Sequence, residues 1–157
     1  MQMHATRRAA TARLRATMLV LVLAALAACQ ANTSVTSGAL PTDLSFKSVV
    51  ARPPMLDTTR AAGAVGRVEV HGLLNQTAPC FALTSDAARD GERIVLRLVA
   101  AEQPGTCATF AAGAFDYVAS IPGLSAGTYD VEVRHRVLFK DGRVSESKVG
   151  GGAVVVR

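Results

Sequence analysis

Gly127-Thr128-Tyr129-Asp130-Val131-Glu132-Val133-Arg134-His135-Arg136-Val137-Leu138-Phe139 is the stretch from which the fold is read. Tyr129, Val131, Val133, His135 and Val137 fall on one side of a period-two pattern. Asp130, Glu132, Arg134 and Arg136 fall on the other. Successive side chains of a strand point to opposite faces, so this alternation predicts a β-strand over 127–139 with one face in a core and one in water.

The same period recurs on both sides of it. Residues 113–121 place Phe115, Tyr117, Ala119 and Ile121 together, and residues 67–75 set Val68, Val70, Gly72 and Leu74 against Arg67, Glu69 and His71. Residues 92–101 put Ile94, Leu96, Leu98 and Ala100 on one face and Val95 and Val99 on the other. A strand apolar on both faces is expected at a central or covered position. Shorter strands are expected at 44–50 and 80–85. A last one spans 143–149 and 153–156, with a bulge at Gly150-Gly151-Gly152. Arg89-Asp90-Gly91-Glu92 and Lys140-Asp141-Gly142-Arg143 carry the Asp-Gly chemistry of tight hairpins. No helical stripe longer than two turns appears after residue 28. The expectation is an all-β chain: a single β-sandwich of about seven strands over 44–157. Its core is small and mainly aliphatic, because the chain has five Phe, two Tyr and no Trp.

Leu124-Ser125-Ala126-Gly127-Thr128-Tyr129, followed by Val131 and Val133, has the form L-x-x-G-x-Y-x-V-x-V. It resembles the tyrosine corner of immunoglobulin-like and fibronectin type III sandwiches, and a similar segment of transthyretin-like surface modules. The resemblance covers 113–138. It implies that Gly127 lets the chain turn into the strand, while Tyr129 buries its ring and caps an upstream backbone group with its hydroxyl. The Cys…Trp…Cys signature of true immunoglobulin domains is missing.

Residues 1–28 hold four arginines (Arg7, Arg8, Arg13, Arg15) and no acidic residue, and 16–28 are an apolar run broken only by Thr17. That length suits a signal-peptide core and falls short of the ~20 residues a spanning helix needs. The run ends in Leu26-Ala27-Ala28-Cys29, which resembles the lipobox of bacterial lipoproteins. The resemblance implies that Cys29 receives a diacylglyceryl thioether, becomes the new amino terminus and is N-acylated with a fatty acid such as palmitate. An ordinary secretory signal with a chance cysteine at the cut, or a spanning anchor, are the other readings of the run. Gln30 stands where an aspartate would resemble an inner-membrane retention signal, so the analogy points to the outer membrane of a two-membrane bacterium. Residues 29–43 are then the lipidated terminus and a flexible tether. Its ~14 polar residues span roughly 20 Å.

The whole chain of 157 residues carries 17 Lys+Arg against 12 Asp+Glu, a net charge of +5. Taking away the four arginines of 1–28 leaves 13 against 12. Composition therefore gives no reason to expect nucleic acid as a partner. With Cys29 lipidated, Cys80 and Cys107 remain. In an oxidising envelope they most simply form one disulfide, closing a loop of ~27 residues. A metal-bound or catalytic thiol is the alternative, but no CxxC exists and no histidine lies close by in sequence.

Gly123-Leu124-Ser125-Ala126-Gly127 matches G-x-S-x-G, and Asp130 and His135 follow in hydrolase order. That motif works only where a strand enters a sharp turn and a helix leaves it. Here a strand pattern leaves, and Asp130 and His135, five apart on it, point to opposite faces. No catalytic set is expected. His71 and His135 read as a surface strand histidine and one near a strand end, and Arg134 and Arg136 with His135 read as a short basic stripe. Asp86, Asp90 and Glu92 could chelate calcium, but the D-x-D-x-D-G loop is absent. No metal or cofactor is expected.

The function expected is a membrane-anchored envelope lipoprotein working as a non-catalytic binding or structural module. A protein or glycan would be recognised at the 102–112 loop or the 86–91 turn. A membrane-presented enzyme or enzyme inhibitor, and a scaffold subunit of an envelope complex, are the alternatives.

Overall fold

The computed structural model describes residues 38–50, 58–76, 80–105 and 113–157. Nine strands run through them: β1 (Gly38–Leu40), β2 (Asp43–Val50), β3 (Thr59–Ala64), β4 (Arg67–Leu74), β5 (Phe81–Asp90), β6 (Arg93–Glu102), β7 (Gly113–Pro122), β8 (Gly127–Leu138) and β9 (Val144–Val156). They form two sheets, ordered β1-β5-β6-β8-β9 and β2-β7-β4-β3. The described residues are thus all-β, with their sheets packed as a sandwich.

Alternation decides which faces meet. Val68, Val70 and Leu74 of β4 and Phe115, Tyr117, Ala119 and Ile121 of β7 line the inner face of the four-stranded sheet. Ile94, Leu96, Leu98 and Ala100 of β6, with Tyr129, Val131 and Val133 of β8, line the other inner face. These side chains form one apolar cluster. Burying a side chain of this size contributes ~1.5–3 kcal/mol relative to leaving it exposed. The doubly apolar strand at 92–101 is β6, at the centre of the five-stranded sheet.

Nine strands replace the seven expected. β3 is one that the sequence pattern did not mark. β1 is another, and it lies inside the segment expected to be tether. The chain leaves β1 at Pro41 and crosses to the other sheet, where Thr42 fastens the crossing. The Thr42 hydroxyl donates to Ser85 O (3.3 Å) and accepts from Ser85 Oγ (3.0 Å). On the opposite side, the ends of β3 and β9 are joined by backbone bonds from Gly66 N to Arg157 O (3.0 Å) and from Arg157 N to Ala64 O (3.2 Å).

β6 and β8 run parallel, with Arg93 opposite Asp130 and Leu98 opposite His135. Parallel neighbours need a long crossover. Here the chain between them passes through β7 in the other sheet.

The expected 86–91 turn is mostly strand. β5 continues to Asp90, which pairs with Arg93, and only Gly91-Glu92 turn. Gly91 has φ of 60° and no non-glycine described residue has positive φ, which is the II′ pattern of a two-residue hairpin. β9 is continuous through the glycine triplet. Val133 pairs with Gly150 and Arg134 with Lys148, so Val149 is the extra residue of a bulge.

Candidate functional site

Because β6 and β8 are parallel, their ends lie together. The exit of β6, the entry of β5 and the β8–β9 hairpin therefore gather at one end of the five-stranded sheet. Glu102 accepts the Lys140 backbone N–H at 3.1 Å and pairs with Lys140 Nζ at 3.5 Å. Gln103 N–H donates to Cys80 O at 2.8 Å, and its side-chain amide donates to Ala101 O at 3.1 Å. Phe81 and Phe139 meet edge to face with centroids 6.2 Å apart. The Arg143 guanidinium lies 4.7 Å over the Phe139 ring, and its Nε is 2.6 Å from Asp141 Oδ2. Side-chain and backbone hydrogen bonds from Arg143 hold the Asp141 carboxyl below its ordinary value.

This arrangement fixes the base of the 102–112 loop on two neighbouring segments. Residues 106–112, and with them Cys107, lie outside the described residues; Cys80 is buried at the entry of β5. The end presents an aromatic ring, a guanidinium and a carboxylate beside residues 102–105, a set suited to polar recognition with one aromatic contact. The sequence marks 102–112 as a recognition loop but reads Phe139 only as strand and Lys140 and Arg143 only as hairpin, because they stand far along the chain. The Asp-Gly hairpin was visible; its placement was not.

The two segments expected to recognise a partner are not brought together. β6 runs from Arg93 to Glu102, so the 90–93 turn and the start of the loop at Glu102 are about 30 Å apart at ~3.3 Å per residue. Asp86 is taken up by Arg97 at 3.0 Å. Among the described residues no group of three or more His, Cys, Asp or Glu side chains could hold a metal.

The outer face of the five-stranded sheet carries an ionic lattice. Glu132 is buried, although it lies on this face. It accepts Arg93 at 2.7 Å and Arg134, with Lys148 at 3.6 Å. The bonds from Arg93, then Arg134, hold its carboxyl down to about 2. Arg134 in turn reaches Glu146 at 3.1 Å. The stripe at Arg134 and Arg136 is therefore interleaved with carboxylates.

His135 is not part of that stripe. It sits inside, 2% exposed, with Nε2 2.8 Å from the hydroxyl of buried Tyr117 on the other sheet. It stands three residues before the end of β8. His71 is exposed on β4. Asp130 is exposed on the outer face and Ser125 in the loop before β8, so Ser125, Asp130 and His135 do not converge.

Leu124 is buried and donates its N–H to Gly66 O at 3.0 Å. Gly127 opens β8 opposite Val156. The Tyr129 ring is buried, and its hydroxyl donates to Ser125 O at 3.0 Å, four residues back. Cys29 lies outside the described residues, and among those residues no helix is long and apolar enough to cross a membrane.

The chain matches no protein-family model, no curated protein and no solved structure.

Proposed function

We propose that this protein is an envelope lipoprotein, held in the membrane through acylated Cys29, whose sandwich domain is a non-catalytic binding or structural module. The observation that carries the reading is the braced end of the five-stranded sheet. There Glu102 and Gln103 fix the start of one loop against Cys80 and Lys140, and Phe139, Asp141 and Arg143 stand beside it. Residues already fixed before binding lower its ordering cost. The occupant is an envelope protein or glycan. The outer membrane of a two-membrane bacterium is the proposed location, from the residues around Cys29. A Cys80–Cys107 disulfide would complete the bracing, in keeping with the buried position of Cys80.

Within the sandwich class, the Tyr129 corner supports an immunoglobulin-like element. The parallel β6–β8 pair departs from the antiparallel sheets of that fold.

The test is crosslinking of the lipidated protein in cells, read by mass spectrometry, with Cys29→Ala and a Phe139→Ala/Arg143→Ala variant alongside. A discrete partner lost in both variants is the expected result. A partner retained by Phe139→Ala/Arg143→Ala would refute the placement of the site, and crosslinks to abundant bystanders alone would count against a binding module.

A further inference from the structure

Two Asp-Gly pairs stand at exposed hairpins, Asp90-Gly91 between β5 and β6 and Asp141-Gly142 between β8 and β9. At such a pair an aspartyl side chain can close on its own backbone, because glycine puts no side chain in the way. The glycine nitrogen attacks Cγ of the aspartate. A C–N bond forms, the amide proton and a carboxyl hydroxyl leave as water, and a five-membered succinimide results. Water then opens the ring at either carbonyl, giving back aspartate or leaving isoaspartate, in which the backbone runs through the side-chain carbon. No oxidant, reductant or other co-reactant is needed. The amide nitrogen must be free, the carboxyl must be free to swing, and the carboxyl must be protonated so that water is the leaving group.

The two pairs differ in every one of these conditions. Gly142 N–H is tied to Phe139 O at 3.0 Å. Asp141 Oδ1 accepts the Arg143 backbone N–H at 3.0 Å, and Oδ2 accepts Arg143 Nε at 2.6 Å. The same bonds hold the Asp141 carboxyl below its ordinary value, so its protonated form is scarce. At Asp90, no hydrogen bond or ion pair among the described residues engages the carboxylate, and none engages Gly91 N–H. Arg93, the residue paired with Asp90 across the hairpin, is turned to Glu132 at 2.7 Å. The bonds that fix this turn run from Arg89 Nε to Gly91 O at 2.6 Å and from Asp130 N–H to Glu92 O at 2.9 Å. They fall on carbonyls and leave the reacting nitrogen and carboxyl untouched.

We infer that Asp90-Gly91 is a site of spontaneous succinimide and isoaspartate formation, and that Asp141-Gly142, the same dipeptide, is protected by Arg143. Isoaspartate adds one carbon to the main chain inside a two-residue turn. That breaks the pairing of Asp90 with Arg93 and displaces the guanidinium that holds Glu132. The modification therefore loosens the ionic lattice and spares the braced end at the other end of β6. This inference does not rest on what the braced end binds.

The test ages the purified full-length protein in mildly acidic buffer, folded in one sample and in concentrated guanidinium chloride in another. Succinimide is read as the loss of one water and as hydroxylamine cleavage, and isoaspartate by fragmentation of the peptide that holds each pair. The expected result is modification at Asp90 several-fold above that at Asp141 in the folded protein, and near-equal modification in denaturant, where sequence alone acts. Arg143→Ala should raise modification at Asp141 several-fold and leave Asp90 unchanged. Asp90→Glu should abolish the signal at its own position, because the longer side chain closes its larger ring poorly. Circular dichroism of each variant confirms that the sandwich is folded. Equal modification of the two pairs in the folded protein, a preference for Asp90 that persists in denaturant, or indifference of Asp141 to Arg143→Ala would each overturn the inference.

Discussion

Replacing Tyr129 by phenylalanine removes one oxygen and leaves the ring. The hydroxyl donates to Ser125 O at 3.0 Å, while the ring is 3% exposed. Ser125 is exposed, so its freed carbonyl can take a water. The cost is then that of one ordinary hydrogen bond, about 1 kcal/mol. Tyr129→Ala also removes the ring. It forfeits the transfer free energy, opens a cavity in the core, and loses the Arg89 guanidinium 5.0 Å from the ring centroid. Large-to-alanine changes at aromatic core positions cost ~3–5 kcal/mol. Urea unfolding of the two variants beside the parent protein, with matched m-values, measures both. At roughly 4 °C per kcal/mol for a domain of this size, Tyr129→Phe should lower Tm by about 4 °C and Tyr129→Ala by three to five times as much. Tyr129→Phe as stable as the parent protein would refute the hydrogen-bonded corner. Tyr129→Phe as damaging as Tyr129→Ala would refute the claim that the ring is the larger part.

Gly151→Ala should destabilise by roughly 2 kcal/mol or more in thermal melts, because Gly151 has φ of 142° and an added Cβ would fall on Val131 O. Neutral stability there would mean that β9 shifts freely. Glu132 has its carboxyl pKa depressed in the folded state, from 4.5 to about 2, by Arg93 and Arg134. Its contribution is therefore present above pH ~4.5 and lost as pH falls towards 2. Urea midpoints measured across that window should fall with acid, and Glu132→Gln should flatten this part of the profile; an unchanged slope would contradict the lattice. If Cys80 and Cys107 are joined as proposed, reduction should cost ~3.5 kcal/mol in the chain-entropy model for a loop of ~27 residues. A midpoint indifferent to reductant, or both cysteines alkylated without it, would remove the disulfide.

The strands easiest to read were those with one wet face. β4, β7 and β8 alternate because their outer residues, Glu132 excepted, touch water. β6 lost its alternation by being central, and that loss was itself the signal. β3 was missed because Thr59-Arg60-Ala61-Ala62-Gly63-Ala64 has little apolar contrast. Its composition reflects close approach rather than burial, since a Cβ on Gly63 would fall on Val155 O of β9. The apolar pattern of β5 breaks at Asp86, although Ala87 returns to the core. His135 lay on the correct face of its alternation, but burial of an imidazole depends on Tyr117, eighteen residues back on the other sheet. The candidate site was half legible for the same reason. Residues 102–105 could be named, but their neighbours at 139–143 follow from the parallel β6–β8 pair, and nothing local in either strand encodes that pairing.

The most direct test of a membrane-presented module is the intact mass of the mature amino terminus, recovered from membrane and soluble fractions. The account predicts membrane-bound protein beginning at Cys29 and carrying the diacylglyceryl group and an N-acyl chain, with Cys29→Ala failing to gain them. An unmodified terminus cut at another residue, in protein released as a soluble species, would contradict it.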